Sequence, residues 1–251
     1  MTGGRPVGPE VDAIPAKRPE AVILEGRFGR VEKLDPARHG ELLWEAVRGR
    51  DALWTYMSYG PFADTAAFTA WLDQRAMRDD PFSYTVIDAR GRACGIATLM
   101  EIRPAMRVIE VGHIVYGSAL QRTALGTEAQ YLLARYAFEE LRYRRYEWKC
   151  DALNAPSRRA ALRYGFSFEG IFRSHMIVKG RSRDTAWYAM LDAEWPARKR
   201  AFELWLAADN FDAAGRQRER LSAMMQSARS DNHESQACGT KSGEETPWPI
   251  V

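Results

Sequence analysis

The sequence predicts an α/β (α+β) protein in which helices flank a mixed, mostly antiparallel twisted sheet, with a helical extension near the C-terminal end. Strand-like runs and amphipathic segments follow each other along most of the chain. Near the middle, successive strands are separated only by turns. One apolar, β-branched strand also leads directly into a glycine-marked helix start, as expected where a strand delivers the chain into a helix.

The first third is predicted to be one strand or hairpin followed by two helices. Residues 22–34 alternate in hydrophobicity, and Asp35-Pro36 supplies a helix N-cap with proline at the first helical position. Asp64 is the predicted N-cap of a helix that runs to about Arg78. The aromatic-dense segment Leu53 to Phe62 lies between them and is either a loop that lines a pocket or plain core. The second helix is expected to direct these side chains to the core: Ala67, Phe68, Trp71, Leu72 and Ala76.

The remainder of the domain is predicted to alternate strands and helices. The strand starting at Val108 is followed by a helix from Thr127 to Leu141, and a second helix from Asn154 to Tyr164 ends at Gly165. Hairpin-length turns are expected at residues 89–92 and at Gly180. The predicted strands of this region are Phe82 to Asp88, Ala93 to Met100, Val108 to Tyr116, Arg145 to Ala152, Phe166 to Phe172, Ser174 to Lys179 and Asp184 to Leu191.

Composition changes divide the chain into four parts. Residues 1–21 are rich in Gly, Pro and charge and are predicted to be a disordered or loosely docked arm, and residues 227–251 a disordered tail. The domain is expected over 22–196. Residues 197–226 form a helical extension whose large apolar side chains require cover by the domain or by a partner subunit in a homodimer.

Charge and cysteine usage exclude several classes. The net charge of +3, from 36 basic and 33 acidic residues, is too balanced to indicate a nucleic-acid-binding protein. No apolar run approaches the ~20 residues of a membrane span, so a soluble cytoplasmic protein is expected. Cys94, Cys150 and Cys238 are widely spaced and form neither a disulfide framework nor a metal site; no metal is expected.

The stretch from Val108 to Gly126 has the order required for an anion site. The first turn of a helix carries unpaired backbone N–H groups and the positive end of the helix dipole, which together attract phosphate. Gly126 permits close backbone approach, and Arg122 adds a charged donor.

Three motifs in this order resemble the GNAT superfamily of acetyl-CoA-dependent N-acyltransferases. They are the strand-turn-helix from Val108 to Leu141, the helix opening Asn154-Ala155-Pro156-Ser157, and the segment GFSFEG at 165–170. The chain is most similar to the RimJ/RimL-type branch, over roughly residues 22–196. The resemblance implies a GNAT-like sheet and acetyl-CoA as co-substrate.

The resemblance assigns the cofactor's diphosphate to the loop and helix start at Gln121, Arg122, Thr123, Ala124, Leu125, Gly126 and Thr127. The family pattern has glycine where this chain has Ala124. Alanine is strained there if the backbone requires a positive φ, so the shape of the loop is the open question.

Further cofactor and catalytic roles follow from the same resemblance. Asn154 is expected to contact the CoA arm, and either Ser157 or Tyr164 to protonate the departing thiolate. A bulge in the strand is expected to free a backbone N–H near Ile114 or Val115 for the oxyanion.

The acceptor amine must lose a proton before it can attack, and two residues of the strand are candidate bases. Glu110 is favoured by the resemblance, whereas His113 has the more suitable unperturbed pKa. They are three residues apart, so a bulge is needed for both to face one cleft.

The predicted activity is acetyl transfer from acetyl-CoA to a primary amine, on a small molecule or a protein N-terminus, by direct attack in a ternary complex. One alternative is a non-catalytic acyl-CoA-binding regulatory or structural module. Another is an RNA-associated factor that uses the basic C-terminal helix, which predicts steeply salt-dependent binding.

Overall fold

A computed structural model describes residues 5 and 7–228, which form one eight-stranded sheet in the order β1-β2-β3-β4-β5-β6-β8-β7 with helices on both faces. The predicted fold class is confirmed. The strands are β1 Ile23–Glu25, β2 Gly29–Lys33, β3 Phe82–Asp88, β4 Ala93–Arg103, β5 Val108–Tyr116, β6 Arg145–Asp151, β7 Ser167–Val178 and β8 Arg181–Leu191. The helices are α1 Pro36–Val47, α2 Thr65–Ala76, α3 Ala124–Arg135, α4 Ala155–Arg163 and α5 Trp195–Leu206.

The pair β5–β6 is parallel, while the other neighbouring strands in the sheet are antiparallel. A parallel pair needs a crossover connection, and α3 supplies it. The register of β5 and β6 covers three positions, the last of which pairs Glu110 with Glu147. Beyond that pair β5 continues to Tyr116 and β6 to Asp151 without a shared ladder, so a cleft opens between them.

Strand β5 contains a bulge after this branch point. Thr98 of β4 pairs with Gly112 and Ile96 pairs with Val115, so His113 and Ile114 together oppose one residue of β4. His113 has a φ of +48°, a conformation uncommon outside glycine. The bulge turns this stretch of β5 toward the cleft.

The first two helices pack with the aromatic segment on one face of the sheet. The Asp35 and Asp64 side chains cap α1 and α2, as predicted, by accepting backbone N–H bonds. Phe68 and Leu72 are buried in this cluster with Trp54, while Ala67, predicted to face the core, is exposed. Arg75 of α2 is 7% exposed and lies on the buried face instead.

Helix α3 packs on the opposite face and begins three residues earlier than predicted. Thr123 is its N-cap, because the Thr123 hydroxyl accepts from the Gly126 N–H at 3.1 Å. Its helical backbone continues through one π-helical turn, Tyr136–Glu140, and so ends near the predicted Leu141. The early start places the free amides of the first turn at Ala124 and Leu125, next to the loop.

Several predicted strand bounds change. Residues 22–34 form a hairpin of two strands, and β4 extends to Arg103. The two strands predicted at 166–172 and 174–179 are one strand, β7, with an irregular register between Phe172 and Met176 and a positive φ at Ser174. The hairpin turn at Gly180 lies where it was expected, with a φ of +71°.

The predicted extension packs on the domain. Helix α5 begins at Trp195, so the predicted boundary after Pro196 falls inside it. Phe202 lies 5.6 Å from the Tyr131 ring of α3, and Trp205 stacks edge-on to Phe211. The buried side chains of α5 belong to the same hydrophobic core as the sheet, and residues 221–228 form a further helix on that core.

The end of the predicted N-terminal arm is docked on the domain, which is one of the two predicted alternatives. Ala16 donates its N–H to the Pro104 carbonyl at 3.1 Å, and Lys17 to the Leu141 carbonyl at 2.9 Å. The carbonyl of Glu20 accepts from the Tyr84 hydroxyl. These bonds hold residues 16–20 against the sheet. The predicted tail from 229 onward lies outside the described residues, as does Cys238.

Within the described ranges, no helix is long and apolar enough to cross a membrane. Cys94 and Cys150 are buried free thiols, as the sequence indicated.

Glu128 of α3 anchors the β1–β2 turn, which yields a stability prediction. Its buried carboxylate accepts the N–H groups of Arg27 at 2.6 Å and Phe28 at 2.8 Å. We expect Glu128→Ala to lower the free energy of unfolding by roughly 2–4 kcal/mol, because it leaves two amides without their charged acceptor. Urea unfolding measures this, with Glu128→Gln, which retains one acceptor oxygen, as the milder matched variant. Unchanged unfolding of Glu128→Ala would contradict the anchoring role.

Candidate active site

The main cleft, about 870 Å³ in volume, lies where β5 and β6 separate. Its walls come from β5, β6, α4, β8 and the segment around Tyr56. The predicted site residues that line it are Glu110, His113, Ile114, Val115, Gln121, Asn154, Ser157 and Tyr164. The structure thus brings both candidate bases and both candidate acids to one cavity. Residues 122–127 of the predicted diphosphate loop lie outside this lining, at the start of α3.

The loop before α3 has the form of an anion-binding helix start. Gln121 donates its side-chain amide to the Tyr116 carbonyl at 2.8 Å, which ties the loop to the end of β5. The positive φ of the loop falls on Arg122, at +60°, while Ala124 is the first residue of α3 in helical conformation. Alanine in place of the family glycine is therefore unstrained.

Only part of the predicted row of amide donors is available. The Gly126 N–H is bonded to the Thr123 hydroxyl, and the Thr127 N–H to the Thr123 carbonyl at 3.3 Å. Within the described part of the chain, the backbone N–H groups of residues 122–125 have no such partner. The unpaired amides of this helix start are therefore those of residues 122–125, because the capping bond and the first helical bond occupy the N–H groups of Gly126 and Thr127.

Glu110 lies at the branch point and is 5% exposed. Its Oε2 is 2.9 Å from the Lys149 Nζ. Burial raises the pKa of Glu110 to about 7; the ammonium of Lys149 only partly offsets that effect, and the neighbouring Glu147 adds to it. A carboxyl group with this pKa can accept and release a proton near neutrality.

His113 lies on the bulge in a different environment. Its Nδ1 is 2.9 Å from the Tyr59 hydroxyl and 3.2 Å from the Arg75 Nη2. Because a guanidinium only donates, Nδ1 is the acceptor and the neutral ring carries its proton on Nε2. Burial, together with Arg75, Arg183 and Arg78, lowers the pKa of His113 to about 3. His113 is therefore a neutral hydrogen-bond donor, which argues against the role of general base.

The opening of α4 carries the other predicted groups. The Asn154 Oδ1 accepts the Ser157 N–H at 3.1 Å, so this oxygen caps the helix, and its amide NH₂ remains for a ligand. The Ser157 hydroxyl accepts from the Trp148 indole N–H at 3.0 Å and can donate its own proton into the cleft. Burial raises the pKa of Tyr164, which keeps its phenol protonated. Both side chains thus line the cleft.

Several functional side chains were not singled out from the sequence. Lys149 lies on β6, pairs with Glu110 and Glu147, and sits 4.2 Å from the Trp187 ring. Arg75 faces His113 from α2. Their only sequence signal was a charge at an inward position of an amphipathic element, which without the fold is indistinguishable from a surface residue.

The aromatic segment serves both predicted roles. Trp54 and Phe62 pack 5.2 Å apart in the core, whereas Tyr56 lines the cleft. The Tyr56 hydroxyl donates to the Leu153 carbonyl at 3.2 Å, and Lys179 donates to the Trp54 carbonyl at 2.9 Å. These two bonds connect the segment to the loop between β6 and α4 and to the turn between β7 and β8.

Cys150 also lines the cleft but is unsuited to covalent catalysis. Burial raises the pKa of its thiol, which keeps the reactive thiolate scarce.

These features define a class of mixed α/β protein in which an opened parallel strand pair meets an anion-binding helix start. A family model described as "Acetyltransferase (GNAT) domain" matches residues 32–167, more than half of the chain. The chain belongs to the GNAT acetyltransferase family, as its motifs indicated.

Related proteins agree with this family. A curated Bacillus subtilis protein named "Putative ribosomal N-acetyltransferase YdaF" is 31% identical over 109 residues, which cover 43% of this chain. That match spans only 59% of the relative's own length. Its name is in accord with the RimJ/RimL-type branch.

Solved structures extend the likeness to most of the chain. A GCN5-related N-acetyltransferase from Brucella melitensis is 48% identical with a TM-score of 0.83, over 85% of this chain and 98% of that one. A probable acetyltransferase of the GNAT family from Chromobacterium violaceum is 39% identical with a TM-score of 0.71, over 77% of this chain and 100% of that one.

The raised pKa of Glu110 predicts how stability depends on pH. The folded protein holds this proton up to about pH 7, whereas the unfolded chain releases it near 4.5. Relative to Glu110→Gln, the wild type should therefore lose stability as pH rises from 4.5 to 7, by on the order of 3 kcal/mol. Urea unfolding of both proteins across this range measures the difference. Glu41→Gln, which removes an exposed carboxylate outside the cleft lining, is the control, and a constant difference between wild type and Glu110→Gln would contradict the assignment.

Proposed function

We propose that this chain is an acetyl-CoA-dependent N-acetyltransferase in which a primary amine attacks the bound thioester directly in a ternary complex. The observation that carries the proposal is the buried Glu110, with a pKa of about 7, at the point where β5 and β6 separate. A proton acceptor matched to neutral pH at the bottom of a cleft is what amine activation requires.

The residues of the cleft fit the co-substrate. The free amides of 122–125 and the positive end of α3 would hold the diphosphate, and the charged Arg122 stands beside them. Past Glu110 the edge of β5 that faces β6 is open, so an extended amide chain can pair with it as a strand would. Asn154 would bind the same arm from the α4 side. When bound, acetyl-CoA supplies the acyl group.

Three groups would act on the reacting atoms. Glu110, directly or through water, would take the proton from the amine. The backbone N–H of Ile114 or Val115, turned by the bulge, would stabilise the oxygen that gains negative charge. Ser157 or Tyr164 would donate a proton to the departing sulfur. Direct attack is favoured over a covalent intermediate because the cleft thiol, Cys150, has a raised pKa.

The first test is turnover. Purified protein is mixed with acetyl-CoA and a panel of amines and N-terminal peptides, and free thiol is followed with time. Thiol release that requires an amine supports the enzyme. CoA binding without release for any acceptor would instead support the alternative, a non-catalytic acyl-CoA-binding module.

Replacing the proposed base predicts a specific kinetic change. We expect Glu110→Gln to lower kcat/KM by roughly 10²–10⁴-fold, since an amide cannot take the proton. In the wild type, kcat/KM should rise with pH through an inflection near 7, and this inflection should vanish in Glu110→Gln. Glu101→Gln removes another carboxylate of the cleft lining, one whose charge raises the pKa of Glu110, and should therefore keep the inflection but move it to lower pH. An unchanged profile in Glu110→Gln would assign the inflection to another group.

The two candidate acids can be ranked by substitution. A CoA thiolate leaves readily because a thiol is only weakly basic, so neither hydroxyl is expected to contribute more than about 10²-fold. If Ser157 is the acid, Ser157→Ala should lower kcat with little change in the KM for acetyl-CoA. If Tyr164 is the acid, Tyr164→Phe should have this effect instead. Steady-state kinetics measure both constants. Equal activity of both variants and the wild type would show that the thiolate leaves unaided.

A further inference from the structure

The acceptor side of the cleft holds cationic donors without acidic partners. Arg183, Thr185 and Trp187 are every second residue along β8. Their side chains therefore lie on the same face of the sheet, and all three line the cleft. The Nε of Arg183 and the Nε1 of Trp187 are buried, and neither has a hydrogen-bond partner among the described residues. Buried donors are rarely left unpaired, because each costs about 1–3 kcal/mol.

Arg75 adds a second guanidinium behind this wall. It is 7% exposed, forms no ion pair with any described carboxylate, and leaves its Nη1 unpaired. Its Nη2 bonds instead to the Nδ1 of His113, so the Nε2–H of His113 is the group left to donate. The Arg75 guanidinium lies over the Tyr59 and Trp71 rings and outside the cleft lining, so Arg183 and His113 are the members of this set that face the cleft.

The acidic groups of the cleft lie elsewhere. The charges that act on His113 are three arginines, Arg75, Arg183 and Arg78, with no carboxylate among them. Glu101 acts on Glu110, at the branch point, and the Glu110 carboxylate is paired with Lys149. Asp151 accepts the Leu153 N–H on the α4 side. The carboxylates of the cleft thus lie at the branch point and on the α4 side, whereas the charges that act on His113 at the bulge are guanidinium groups.

We propose that the acceptor amine carries a carboxylate group, which Arg183 binds with His113 and Trp187 as additional donors. This inference rests on the proposed function and deepens it by naming the acceptor class. A guanidinium fork matches a carboxylate in shape and charge and would satisfy the buried Nε. The carboxylate would orient the acceptor so that its amine points toward Glu110.

Two sources can supply such an acceptor: a small amino acid, or a protein N-terminus with an acidic side chain. The chemistry is shared, so the test has an arm for each. One arm compares β-alanine and γ-aminobutyrate with their primary amides. The other compares peptides with N-terminal Asp or Glu with matched Asn or Gln peptides. In each arm the rates are corrected for the fraction of unprotonated amine.

In at least one arm, we expect kcat/KM for the acid to exceed that for its neutral match by roughly 10- to 100-fold, the range for a buried charge-assisted pair. Arg183→Met should lower kcat/KM for the acidic acceptor far more than for its neutral match, so that the preference is lost, and Arg183→Lys should restore part of it. Arg181→Met, on the same strand but exposed and outside the cleft lining, should leave the preference unchanged. Equal rates for acids and amides in both arms would overturn the proposal.

A binding measurement separates this inference from the proposed function. N-acetyl-β-alanine and N-acetyl-aspartyl peptides are titrated calorimetrically into the protein in the presence of CoA, which needs no turnover. Binding that is lost in Arg183→Met but kept in Arg181→Met supports the carboxylate subsite even if no thiol is released. Turnover with neutral amines, without binding of either acidic product, refutes the subsite and leaves the transferase standing.

Discussion

The interaction on which the cleft depends is the Lys149 ammonium between Glu110 and Glu147. The two carboxylates are directly opposite in the last paired position of β5 and β6, where like charges repel. The Lys149 Nζ lies 2.9 Å from the Glu110 carboxylate and 3.0 Å from the Glu147 carboxylate. It therefore offsets their repulsion at the point where the strands separate. The same three residues therefore fix the branch of the sheet and the electrostatics at the bottom of the cleft.

Their environments divide the two carboxylates into different roles. Burial opposes ionisation of Glu147 too, but hydrogen bonds from Arg145 and Lys149 outweigh it and lower its pKa. Glu110 shares only Lys149, and burial prevails, so its pKa rises. Two neighbouring carboxyl groups can have pKa values that shift in opposite directions. The group with the lowered pKa then stays charged and stabilises the structure, whereas the group with the raised pKa can transfer protons. Glu147 stabilises the branch, and Glu110 is left poised near neutrality.

Much of the frame could be predicted from the sequence because it rests on local signals. The caps at Asp35 and Asp64 and the Gly180 turn follow from residue type and neighbours. The sequence could not show whether Ala124 is strained, because residue types alone do not reveal that the positive φ of this loop lies at Arg122. The approach of Arg75 to His113 was equally hidden. Arg75 and Arg183 are 108 residues apart in number and meet only through the packing of α2 against the bulge, for which a single sequence carries no signal.

The fate of His113 shows how that long-range packing changes the chemistry. By its ordinary pKa it was the better base, yet the bulge that brings it into the cleft also brings its Nδ1 to Arg75. The nearby guanidinium groups make protonation of the ring costly, so the imidazole serves as a donor. Burial raises the pKa of Glu110 to about 7, whereas His113, three residues later and on the bulge, stays neutral beside the guanidinium groups, so one strand carries a carboxyl group that can exchange a proton near neutrality and an imidazole that donates a hydrogen bond.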